Sequence, residues 1–143
     1  MYSTATDLQK LLEPDALRQL ADDGPGGATS EEVMAEAIEQ ADREIDSYLN
    51  MVMEVPVDPV PPLAANLSAK IAIYNLHRRR SHLEVGEWGK EYERCVKLLQ
   101  RIAEGKLTLG AKQDGETSEP ENPGRAVINT RPREFPDERL GKY

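Results

Sequence analysis

Between Thr29 and Met53 apolar side chains recur every three or four residues. At about 100° per residue, Val33, Met34, Ala37, Ile38, Ala41, Ile45, Tyr48, Leu49 and Val52 share an arc somewhat under half the helix circumference. Glu32, Glu36, Glu39, Asp42, Arg43 and Asp46 fall outside that arc. The pattern predicts one long helix, with one side for packing and the other for water or a basic partner. Thr29 and Glu32 stand at capping-box spacing, where hydroxyl and carboxylate each satisfy an orphan backbone N–H at a helix start. At roughly 1.5 Å per residue the element would reach on the order of 35 Å.

Upstream, Thr6 to Gln9 has the same capping spacing, and Leu8, Leu11 and Leu12 follow at helical intervals, predicting a short first helix. Pro14 interrupts it and is tolerated in a first turn, so Pro14 to Ala21 is predicted as a second short helix presenting Leu17 and Leu20. Asp22-Asp23-Gly24-Pro25-Gly26-Gly27 is a loop. A calcium loop starting at Asp22 would need oxygen ligands at its third, fifth and twelfth positions, which are Gly24, Gly26 and Val33, so a calcium site is rejected.

After the long helix, Glu54 to Pro62 carries four prolines that fix φ, remove donors and push their predecessors into extended backbone. This predicts a stiff connector. A further helix from Leu63 to Arg80 has Leu63, Leu67, Ile71 and Tyr74 on one side and Ala65, Ala69, Ala72, Ile73 and Leu76 on another. Two apolar sides place it between neighbours, at the bundle centre. The last helix, Glu87 to Glu104, has a stripe of Trp88, Tyr92, Cys95, Val96, Leu99, Ile102 and Ala103, with Lys90, Glu93, Arg94, Lys97 and Arg101 elsewhere, and Gly105 stops it. The expected fold is thus all-α, a small bundle of two short N-terminal helices and three longer ones over residues 1–110.

From Ala111 to Arg133 the chain is too poor in apolar groups to offset the entropy of ordering, which predicts an extended, disordered C-terminal arm over residues 111–143. Its end nevertheless holds Phe135, Leu140 and Tyr143, apolar anchors of the kind found on segments that order against a partner.

Length changes this picture little: 143 residues suffice for one domain without metal or disulfide staples. Charge changes it more. The net −8 divides into 14 acids and 3 bases over residues 1–60 against 5 acids and 9 bases over residues 61–110. An acidic first half disfavours general binding to nucleic-acid phosphates, and it would let one copy's acidic part face another copy's basic part. A merely solvated surface is the plainer reading. The single Cys95 cannot pair within the chain, no apolar run reaches the roughly 18 residues of a membrane span, and the N-terminus lacks a signal-peptide pattern. The expectation is a soluble protein made inside the cell.

Chemistry-bearing motifs are scarce. No phosphate loop, Cys/His metal spacing, nucleophile elbow or triad is present, so no catalytic residue, metal or cofactor is expected. His77 and His82 are five apart and do not share a helical face as ligands. Cys95 lies inside an apolar stripe, as a buried small residue does. Asp42 and Asp46 share a helix face, but one with the charge of a solvent-facing surface rather than a pocket that would split their pKa values. Arg78, Arg79 and Arg80 complement the dipole at a helix C-terminus; contact with an acidic partner surface is the other reading.

The opening MYSTATDL, ADREIDSYL (Ala41 to Leu49), VPPLAANLSAKIAIYNLHRRR (Val60 to Arg80), LLQRIAEGKLTLG (Leu98 to Gly110) and FPDERLGKY (Phe135 to Tyr143) together resemble the small head-to-tail connector, or adaptor, proteins of Mu-like tailed phages and prophages. The likeness covers nearly the whole chain in the same order. It implies a helical structural protein forming a homo-oligomeric ring at the portal vertex, around the DNA passage, between the portal protein and a downstream tail-completion protein. It implies no catalysis or cofactor, a residence in the host cytoplasm and then in the virion, and a C-terminal arm set against a neighbour or the portal. Some members have a more aspartate-rich loop where this chain has DDGPGG, a departure that weakens any ion-binding idea further.

A ring needs two different complementary surfaces on each subunit. The candidates from sequence are the acidic long helix, with Glu36, Glu39 and Asp46, and the basic segment from Lys70 to Arg80, with Arg78, Arg79 and Arg80. An acidic face lining the passage, where it would repel DNA, is a competing use. Two other readings stay open: a soluble helical interaction module whose tail binds one partner without a ring, and a helix-turn-helix DNA binder using the three arginines on phosphates.

Overall fold

Each segment with helical apolar spacing is a helix in the computed structural model, which describes residues 1–110. In order they are α1 (Ala5–Leu11), α2 (Pro14–Ala21), α3 (Ser30–Leu49), α4 (Pro62–Arg79) and α5 (Glu87–Ala103). No strand occurs among the described residues, and the fold is all-α. The arm from Ala111, with Phe135, Leu140 and Tyr143, lies outside the described residues.

The first helix begins two residues before the expected point. Its cap is Thr4, not Thr6, and the Asp7 carboxylate accepts from the Thr4 backbone N–H at 2.9 Å and from its hydroxyl at 3.0 Å. Aspartate serves here where the capping box has Glu or Gln. At α3 the predicted box forms: Glu32 accepts from the Thr29 N–H at 2.9 Å and donates its own N–H to the Thr29 hydroxyl at 3.3 Å. The helix is 20 residues and about 30 Å long, shorter than the apolar pattern suggested. Asn50 caps it, and Met51 and Val52 are exposed on a turn, because bonds such as Val52 N–H to the Leu49 carbonyl tighten the chain before the prolines. Val52 therefore leaves the packed face assigned to it.

The central helix is α4, which packs against α1, α2, α3 and α5. Its burial runs nearly all round and includes Ala64, Leu67, Ala69, Ile71, Ala72, Ile73 and Leu76, together with the polar Ser68 and Asn75. Proline at its first positions needs no donor, as expected from Pro61 and Pro62. The fifth helix covers α3 and α4 through Cys95, Leu99 and Ile102, and Tyr92 stacks on Tyr74 with ring centroids 4.1 Å apart. Gly105, at φ 74°, ends it in a Schellman turn: Lys106 N–H reaches the Arg101 carbonyl and Gly105 N–H that of Ile102, both at 2.9 Å. Beyond the turn, Leu109 folds back into the core.

Candidate functional site

Of two acids of α3 that the sequence sends to solvent, Asp42 is instead buried and Asp46 half-buried. Asp42 is buried, and its carboxylate accepts from the Tyr2 backbone N–H at 2.9 Å and the Ser68 hydroxyl at 2.5 Å. Ser68 and Ser3 are 2.7 Å apart, oxygen to oxygen. One turn on, Asp46 accepts from the Tyr2 hydroxyl, whose oxygen accepts from Val57 N–H at 3.0 Å. The carboxylates thus tie the N-terminal segment before α1 to α3, α4 and the proline connector. No periodicity signals this, because the donors come from residues remote in sequence. Burial, then the bond to Asp46, pushes the Tyr2 phenol up to about 12.

The three arginines have separate jobs. Arg79 donates to both Asp23 oxygens, at 3.1 and 2.9 Å. Arg80 donates through Nε to the Leu20 carbonyl at 3.1 Å, also reaches the Asp22 carbonyl, and lies 3.4 Å from Asp23. These bonds fasten the loop after α2 to the end of α4. Arg78 alone stays outside this network, exposed, with its guanidinium 6.0 Å from the Tyr74 ring centroid.

Of the acids assigned to a subunit surface, Glu36 and Glu39 are exposed on α3, bonded to Gln40 at 3.3 Å and Arg43 at 2.6 Å one turn on. Asp46 is half-buried on Tyr2. The structure therefore brings Asp46 into an internal network and leaves Glu36 and Glu39 outward. None of the three meets an arginine of the segment Arg78 to Arg80 within the chain.

Tyr92 donates to Glu44 at 2.6 Å, which together with burial raises its phenol. The Cys95 thiol is pushed up to about 11 by burial, which suppresses the reactive thiolate. An open groove of about 210 Å³ is lined by Leu12, Ala16, Gln19, Leu20, His77, Leu83 and Glu84, but His77 Nδ1 is already bonded to the Ile73 carbonyl at 2.9 Å. Among the described residues no group of three His, Cys, Asp or Glu side chains is placed to hold a metal ion, and no helix is long and apolar enough to cross a membrane.

One feature escaped the sequence reading although its signal was present. Lys90, Arg94, Lys97 and Arg101 are all exposed, at successive spacings of four, three and four residues along α5. That spacing keeps them on one helical face.

The family described as Bacteriophage Mu, Gp36 matches residues 2–128. The Mu-like prophage FluMu protein gp36 of Haemophilus influenzae is 30% identical over 122 residues, which is 85% of this chain and 84% of that protein.

Proposed function

The chain belongs to the bacteriophage Mu Gp36 family, and on that premise we propose that it is a structural head-completion protein, forming or joining a ring at the portal vertex. In this role it connects capsid to tail around the DNA passage, contacting the portal protein on one side and a tail-completion protein on the other. It is made in the host cytoplasm and ends at the head-tail junction of the virion. No catalysis or cofactor is needed. DNA passes through without sequence-specific recognition.

The observation that carries the proposal is the family match from residue 2 to residue 128, whose described part, residues 2–110, is a helical unit with exposed acids along α3 and an exposed row of bases along α5. A ring subunit needs two unlike surfaces, and this chain has exposed acids along α3 and an exposed basic stripe along one face of α5. Among the described residues Glu36 and Arg78 form no ion pair and are proposed to meet a neighbour, while Glu39 faces outward already paired with Arg43. Phe135, Leu140 and Tyr143 are proposed to dock on a neighbouring subunit or the portal.

Internal pairing of Arg79 and Arg80 with Asp23 speaks against the helix-turn-helix alternative, which needed those charges on phosphates. A plain interaction module is separated genetically. Deleting the coding sequence from a Mu-like phage should give DNA-filled heads and free tails that fail to join, visible by electron microscopy and rescued by adding the protein. Normal particles from the deletion would overturn the proposal.

A further inference from the structure

We infer that the outward face of α5 is the docking surface for a second copy of this chain, whose outward α3 face is its occupant. This rests on the ring reading above and names the contact that would build it.

At about 100° per residue, Lys90, Arg94, Lys97 and Arg101 fall within an arc of about 60°, on the side of α5 away from Cys95, Leu99 and Ile102. Glu32, Glu36 and Glu39 fall within a similar arc on the side of α3 away from Ala37, Ala41 and Ile45; Arg43 continues that arc one turn on and holds Glu39 at 2.6 Å, so the α3 stripe is acidic toward its N-terminal end, with Glu36 its acid free of any ion pair or cap. Because each stripe is turned away from the shared core, one chain cannot close them on each other. Among the described residues Lys90, Lys97 and Arg101 form no ion pair, and Arg94, whose side chain is 68% exposed, meets only Glu91 of its own helix. Glu91 is already held by Lys70 at 3.2 Å, and that contact, with Arg94, lowers its pKa.

The two trios are opposite in sign and equal in spacing. Glu32, Glu36 and Glu39 repeat at four and three residues, as do Lys90, Arg94 and Lys97. Each trio rises about 10 Å, so the two helices can set three charges against three. The like charges along α5 repel at these intervals, with only Arg94 offset by Glu91, and the acids of a neighbour's α3 relieve them. DNA is the poorer occupant. Exposed Glu87, Glu93 and Glu104 border the basic face, and no aromatic residue lies within it to stack on bases. A copy that docks α5 on its neighbour's α3 leaves its own α3 open, so the contact is heterologous and propagates until it closes.

The test is light-scattering mass of the full chain across concentration and salt, with the paired reversals K90E/K97E and E36K/E39K. All four positions are exposed, and circular dichroism checks that helicity is kept. Each paired variant should associate at least about tenfold more weakly than the original chain, while an equimolar mixture of the two should regain the original mass, because a reversed α5 then meets a reversed α3. High salt should weaken the original chain in the same direction. An original chain that assembles while both variants assemble equally well would overturn this contact and leave the ring standing. A chain that stays monomeric throughout would overturn the contact and count against an untemplated ring, leaving the deletion phenotype to decide the head-completion role. Unchanged mass with K90E/K97E, but loss of salt-sensitive retention of a random DNA duplex, would overturn it by assigning the stripe to DNA.

Discussion

Ser68 of α4 donates its hydroxyl to the buried carboxylate of Asp42 in α3 at 2.5 Å, placing a hydrogen-bonded charge between the two most extensively packed helices. The same carboxylate receives the Tyr2 backbone N–H. A buried anion is tolerated only when its acceptor sites are filled, and here the donors come from both ends of a long sequence separation.

Replacing Asp42 by alanine would strand those donors inside. The expected loss is about 1–3 kcal/mol, more than for Asp42→Asn, which keeps one acceptor oxygen. Ser68→Ala should cost about 1 kcal/mol, and Asp42→Ala with Ser68→Ala should cost less than the sum of the two. Urea unfolding followed by circular dichroism measures all four, and strict additivity would contradict the coupling.

At the first helix, Asp7→Ala removes the acceptor of both Thr4 donors and should cost about 0.5–2 kcal/mol, whereas Thr6→Ala should change stability by less than about 0.5 kcal/mol. A bond to Lys10 and then those to Thr4 hold Asp7 below its ordinary carboxylate range, and the bonds to Thr29 do the same for Glu32. Depressed carboxylates stabilise the fold above their unfolded pKa, and that contribution is lost as pH falls through the folded value. Acid unfolding should therefore begin below the ordinary values of 3.8 and 4.5, and Asp7→Ala should flatten the acid limb of a stability-against-pH curve.

The arginines should rank by their contacts. Arg80→Ala frees the Leu20 and Asp22 carbonyls and should cost about 1–2 kcal/mol. Arg79→Ala loses a half-exposed ion pair to Asp23 and should cost under about 1 kcal/mol. Arg78→Ala should be nearly silent in thermal unfolding. A reversed order would mean that the loop after α2 is held some other way.

Alkaline pH probes the tyrosine network. With the Tyr2 phenol raised from 10.0 to about 12, the folded state binds its proton more tightly than the unfolded state. The stability it lends is complete below pH 10 and disappears as pH rises through about 12. Ultraviolet titration of phenolate absorbance should show one fewer late-titrating tyrosine in Tyr2→Phe, and the variant should lose less stability than the original chain across that window. Identical alkaline limbs would rule out the proposed proton linkage at Tyr2.

What the sequence by itself determined was local. Apolar spacing, the Thr29–Glu32 cap, prolines that need no donor and Gly105 at positive φ each act within a few residues, so five helices and their ends were readable to within a residue or a few. The central place of α4 was readable too, from its two apolar sides. Tertiary structure decided the fate of the charges. Asp42 and Asp46 have the sequence signature of a solvent face, yet Tyr2, Ser68 and the connector fold over them. Arg79 and Arg80 look like a free basic patch until the loop after α2 brings Asp23 against them. An apolar residue is assigned a side by its own helix period, whereas an ionised group is buried, paired or exposed according to which distant donors reach it. The basic face of α5 was legible in the spacing of Lys90, Arg94, Lys97 and Arg101, whereas only the tertiary structure shows that, Glu91 apart, no acid among the described residues folds onto it.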